Sequence, residues 1–194
     1  MDRTEAGGHL SALVTIVIWG TTFISTKVLL GGMSPVEILF IRFAIGFAAL
    51  FLYRPHIFRF QGWRAEGTMA LAGLCGICLY YLMENVALTY TLASNVGIII
   101  SLSPFFTALI SGFILHEGPR PGLPFFAGFI LAMAGIVLLN IDGSGLDSDL
   151  AGNLLALGAA FVWSIYSILS RKMTTLNLDV IQTTRRTFAY GLVS

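Results

Sequence analysis

Residues 10–42 read LSALVTIVIWGTTFISTKVLLGGMSPVEILFIR, and residues 154–173 answer them with LLALGAAFVWSIYSILSRKM. Leu10, Trp19, Lys27 and Arg42 recur as Leu154, Trp163, Arg171 and Arg186, each pair 144 positions apart (163 − 19). A tryptophan and two cations held in register within so apolar a chain mark an internal duplication of a membrane unit.

The composition agrees with a membrane setting. Hydrophobic residues make up 56% of the chain and charged residues 11%, with a mean hydropathy of +0.85. A soluble domain carries about one-quarter charged residues, so these values indicate a polytopic membrane protein whose first partner is the lipid bilayer. The net charge of +1 gives no support for a nucleic-acid partner. Cys75 and Cys78 form C-G-I-C inside an apolar run. A redox pair would need a βαβ context and water, so they read as small packing residues.

Outward from the repeat, the spans follow from apolar length and from Gly, Pro and charge breaks. They cover about 10–30, 35–53, 67–90, 94–115, 121–141 and 150–170, and 179–194 begins a seventh. Pro35 suits the first turn of the second helix. A basic loop runs from Arg54 to Glu66, and an acidic one holds Asp142, Asp147 and Asp149. With the N-terminus inside, the inner loops carry Arg3, Arg54, Arg59, Arg64, Arg120, Arg171 and Lys172, whereas the outer side carries only Lys27. That bias predicts a multi-pass protein of the cell's inner (cytoplasmic) membrane with a cytoplasmic N-terminus.

Five spans separate the two copies, and five is odd, so the second copy must cross the membrane in the opposite sense. The expected fold is all-α, with inverted-topology repeats: residues 1–144 form the first five-helix repeat and 145–194 begin the second. Secondary transporters place substrate at such a repeat interface. Position 194 corresponds to Leu50, in mid-span, so the counterparts of residues 51–144 are expected beyond it, ending at about residue 288. A chain end inside lipid would leave unsatisfied carbonyls, which makes a truncated second repeat the economical reading.

Several pieces carry a resemblance: IWGTTFISTKVLL, MSPVEILFIRFAIGFAAL, ALTYTLASNVGIIISLSPFFTALISGFILHEG and FAGFILAMAGIVLL. Trp19-Gly20, Pro35 with Arg42, Ser103-Pro104 and Glu117 are the most specific parts. In order and spacing the chain resembles the EamA-like branch of the drug/metabolite transporter superfamily. That resemblance implies ten helices in two inverted five-helix repeats, six complete here with part of a seventh. It also implies a central cavity and traffic in small metabolites, often amino acids or amphipathic compounds, with no bound cofactor.

Candidate substrate-binding residues come from the polar faces of the apolar helices. In the first span Thr15, Trp19, Thr22 and Thr26 recur at helical spacing with Phe23 beside them, and Trp163, Tyr166, Ser167 and Ser170 are the corresponding face of the sixth. Hydroxyls and indole N–H groups sit poorly against lipid, so these stripes should face protein or a watery cavity; helix packing is the plainer alternative. Tyr80, Ser101 and Ser103 complete the candidate lining. Pro104 removes the hydrogen bond to the Ile100 carbonyl and should kink its helix.

Arg42 shares a helix face with Gly46 and Ala49, while Phe40, Phe43, Phe47 and Phe51 cluster on the far side and read as the lipid face. Arg42 and Glu84 both lie roughly 10 Å below the outer surface. A lone charge there costs at least about 2.5–3.5 kcal/mol, so the two are expected to pair. The pair is either structural or, with Glu84 protonatable, the coupling group for protons.

Rival functions find less support. Every Asp lies in a loop or at a span end, as do His9, His56 and His116, which disfavours intramembrane proteolysis or metal hydrolysis, and no metal site is expected. No G-x-S-x-G, H-E-x-x-H or phosphate-binding loop occurs. A membrane-embedded enzyme, or a half-size dimeric channel or multidrug protein, stays as the alternative. The expected function is secondary active transport, export by alternating access, rather than catalysis.

Overall fold

The computed structural model describes residues 3–55, 60–116, 120–141, 150–176 and 178–194. His56, Arg59, Glu117, the acidic loop with Asp142, Asp147 and Asp149, and the expected repeat boundary near 144 lie outside the described residues.

All regular structure among them is helical. α1 spans Arg3–Leu29 and α2 spans Pro35–Tyr53. Ser34 starts α2 with a capping box. Its hydroxyl accepts from the Glu37 amide at 3.3 Å, while the Glu37 carboxylate accepts from the Ser34 amide at 2.7 Å. Two otherwise orphaned amide protons are thereby satisfied at a helix end that begins with proline.

The third span is α3 (Trp63–Gly73), a π-helical stretch (Leu74–Leu79) and α4 (Tyr80–Tyr90). It begins four residues before the expected Gly67, because Glu66 is buried and paired with Arg186 and its charge does not end the span. The fourth span joins α5 (Ala93–Ile100), a turn at Ser101-Leu102, α6 (Ser103–Leu109) and a π-helical stretch, Ile110–Ile114. The turn falls just before Pro104, and the Ser103 hydroxyl bonds the Ile100 carbonyl that the proline leaves free. α7 (Leu123–Ile141), α8 (Leu150–Thr174) and α9 (Val180–Val193) follow. Five stretches among the described residues are long and apolar enough to cross a membrane.

Packing fixes the relative directions of two pairs of helices. Near the end of α1, the Lys27 ammonium donates to the Leu88 and Thr91 carbonyls, the latter at 3.0 Å. Near the start of α8, a Cβ on Gly152 would stand 2.8 Å from Tyr90 Cβ. Hence α1 ends where α8 begins, and the two run antiparallel. The same holds for α2 and α9: Arg54 at the end of α2 pairs with Asp179 at the start of α9, and Gly46 faces Phe188. Helices related by the 144-residue offset thus point in opposite directions, as an inverted repeat requires.

Small residues let the spans approach closely. A Cβ on Gly73 would lie 2.6 Å from the Thr187 carbonyl oxygen and 2.8 Å from the Gly191 amide nitrogen. Ala156, Ala159, Ala160 and Ser164 are fully buried along α8. Such ridges supply packing where lipid removes the hydrophobic drive between helices. Cys75 is buried and both cysteines are free thiols, in keeping with packing. The expected lipid face of α2 needs one correction. Phe40 and Phe51 are exposed, but Phe43 is 5% exposed, edge-on to Tyr81 at 4.8 Å and to Phe188 at 5.0 Å. It stands about 100° from Arg42 on the wheel, on the flank that α4 and α9 cover.

Candidate functional site

Helices α1, α4, α5, α6 and α8 line an open-sided cavity of about 1260 Å³. Of the candidates read from sequence, Trp19, Thr22, Phe23, Tyr80, Glu84, Ser101, Ser103, Trp163 and Ser167 line it. Its organising feature is an aromatic wall. Trp19 and Trp163, the equivalent residues of the two repeats, meet edge-to-face with centroids 5.7 Å apart. Tyr80 lies 4.5 Å from Trp163, and Tyr81 lies 4.8 Å from Tyr80. Helix spacing explains the set, since Tyr80 and Glu84 are one turn apart on α4 and share a face.

The hydroxyls on the wall are already partly used. Thr22 donates to the Trp19 carbonyl at 2.7 Å, Ser167 to that of Trp163 at 2.9 Å, and Thr107 to that of Ser103 at 2.8 Å. Ser101 and Ser103 donate to the Ile98 and Ile100 carbonyls. Each spends its single proton on a carbonyl of its own span and keeps oxygen lone pairs for other partners.

Ser170 does not line this cavity, and four further candidates fall elsewhere. Thr15 is exposed and bonds the Ser11 carbonyl at 2.8 Å. Tyr166 packs against Trp163 at 4.9 Å and belongs to the core around Met69 and Met173. Thr26 is fully buried and accepts from the Arg42 guanidinium at 2.6 Å. Arg42 also lies over the Tyr81 ring at 5.4 Å, one ring removed from the cavity.

The direct Arg42–Glu84 ion pair expected from matched depth is therefore not formed. Equal depth places two groups at one level but does not set the direction each faces. Arg42 turns to α1, whereas Glu84 opens on the cavity beside the Tyr80 hydroxyl. Glu84 is 2% exposed and, among the described residues, no cation touches it.

Sequence reasoning missed two features. Arg171, read as the counterpart of Lys27 and as an inner-loop charge but not as a site residue, lines the cavity and donates to Ser111 at 3.3 Å. Its equivalence to Lys27 was the available signal, since each ends the first helix of its repeat. Glu66 forms an ion pair with Arg186 and accepts from the Tyr190 hydroxyl at 2.7 Å and the Gln61 amide at 3.1 Å. No local pattern in a basic loop marks that carboxylate as buried. No group of His, Cys, Asp and Glu among the described residues has the arrangement of a metal site.

Comparison with known proteins agrees with this architecture. The model of the EamA-like transporter family matches residues 6–141. An uncharacterized transporter of Archaeoglobus fulgidus is 30% identical over 95% of this chain and 64% of its own length. The Bacillus subtilis uncharacterized transporter YcxC is 29% identical over 90% of this chain and 56% of its own. For the Escherichia coli uncharacterized inner membrane transporter YhbE the values are 29%, 86% and 54%. The chain thus spans between half and two-thirds of the length of these curated relatives. A solved crystal structure superposes with a TM-score of 0.64 at 26% identity, covering 97% of this chain and 66% of that one. With a helical, membrane-spanning fold and a matched model over most of its length, the chain belongs to the EamA-like transporter family.

Proposed function

We propose that this protein is a secondary active exporter of small amphipathic metabolites that works by alternating access, with the N-terminus on the cytoplasmic side of the inner membrane. The observation that carries the reading is the aromatic contact between Trp19 and Trp163 on one wall of a cavity of about 1260 Å³. A site built from equivalent residues of oppositely directed helices is one that a rocking motion can open to either side. Its mixture of rings and hydroxyl oxygens suits an apolar body bearing few polar groups. Glu84, a carboxylate at the cavity surface with no cation in contact among the described residues, is the group that would carry a coupling proton.

The test is flux. Inside-out vesicles from cells producing the protein should accumulate members of a radiolabelled panel of amphipathic metabolites when a proton gradient is imposed. Glu84→Gln should still bind the uncharged members of the panel and lose the response to the gradient. Absence of accumulation above control vesicles for the whole panel contradicts export, and gradient-driven flux at the parental rate in Glu84→Gln removes Glu84 from coupling.

A further inference from the structure

Resting on the cavity reading above, we propose that the site selects amphipathic amines. The ammonium would sit at Glu84, the apolar body would lie against Trp19, Tyr80 and Trp163, and zwitterionic α-amino acids would be disfavoured.

Three observations converge on a cation. First, Glu84 is buried but borders the cavity, and the nearby Arg42 is engaged with Thr26 at 2.6 Å instead. A buried carboxylate without a contacting cation is best satisfied by one that arrives with the ligand. Second, aromatic rings line the same cavity as a contiguous set, tilted with centroids 4.5 Å apart for Tyr80 and Trp163 and edge-to-face at 5.7 Å for Trp163 and Trp19. Aromatic faces attract ammonium groups through their quadrupole, most strongly where water is excluded. Third, the hydroxyls of Thr22, Ser101, Ser103, Thr107 and Ser167 donate their protons to backbone carbonyls. What they offer a ligand is acceptor oxygens, which complement N–H donors and repel a carboxylate.

The cavity's cation, Arg171, does not alter this preference. Gly158 of α8 packs on Met83, the residue before Glu84, and the Arg171 backbone lies 13 residues further along α8, about 20 Å by helix rise. An α-amino acid carries both charges on one carbon. It cannot place its ammonium at Glu84 and its carboxylate at Arg171, so the carboxylate would be left among acceptor oxygens.

The experiment uses the purified chain in detergent with Trp63→Phe, so that the fluorescence of Trp19 and Trp163 reports on the cavity. Four probes share one ring and differ in charge: 2-phenylethylamine, phenylalanine, 3-phenylpropionate and 2-phenylethanol. The amine should bind at least tenfold more tightly than the other three. Glu84→Gln should lower its affinity at least tenfold, to that of 2-phenylethanol, whereas Glu84→Asp should preserve the preference and show that the loss is not one of folding. Equal binding of amine and phenylalanine, or a preference that survives Glu84→Gln, overturns the proposal while leaving the cavity reading intact if 2-phenylethanol binds. Failure of every probe to perturb either tryptophan overturns both.

Discussion

At the scale of the residue, the contact that decides most is the one between Arg42 and Thr26. Thr26 is fully buried and its hydroxyl oxygen lies 2.6 Å from the guanidinium. Thr26→Val keeps the branched shape and removes the acceptor. The expected loss is about 1–2 kcal/mol, between values for charged hydrogen bonds in water-soluble proteins and the smaller ones found between membrane helices. Unfolding measurements on Thr26→Val, Arg42→Gln and the double variant should give a coupling energy of at least about 0.5 kcal/mol. Additivity of the two changes would mean that the bond does not contribute. Arg42 and Thr26 were both legible in the sequence as polar residues needing partners in an apolar helix. Their pairing was not, because it depends on how α2 is rotated toward α1, and the spacing of polar residues along one helix leaves that rotation open.

At the scale of the element, close approach governs the packing of α3 and the π-helical stretch after it against α9. Gly73 and Gly191 oppose each other, and the nearest atoms to a Cβ on Gly73 are backbone atoms, which cannot rotate aside as a flexible side chain can. Gly73→Ala must therefore push α9 outward, at a cost of about 1–3 kcal/mol typical of overpacking. Gly128→Ala on α7, with open space around its Cβ position, is the control and should be neutral or slightly stabilising. Thermal unfolding of both variants checks this, and equal midpoints would show that the interface is looser than its geometry. Span boundaries were readable from apolar length and proline to within a few residues. The π-helical stretches were not, since a residue such as Gly76 reveals its role only when the Tyr166 ring packs over it.

At the scale of the whole molecule, α1 with α8 and α2 with α9, the helices that share the 144-residue offset, run antiparallel. The duplication was visible because Trp19, Lys27 and Arg42 each have a counterpart at one offset. The inversion was expected from an odd number of intervening spans. What stayed hidden is the use to which the copies are put. Arg42 bonds a threonine and Arg186 a carboxylate, so equivalent positions hold unlike partners. Gly31 follows α1 and Thr175 follows α8, at equivalent places 144 apart. In a protein with Cys75→Ala and Cys78→Ser, a single cysteine at each position can be tested with a membrane-impermeant thiol reagent on intact cells and on inside-out vesicles. Cysteine at position 31 should be labelled only from outside the cell and cysteine at position 175 only from the cytoplasmic face. Labelling of both from the same side would contradict the inverted repeat, and with it a cavity shared between oppositely directed halves.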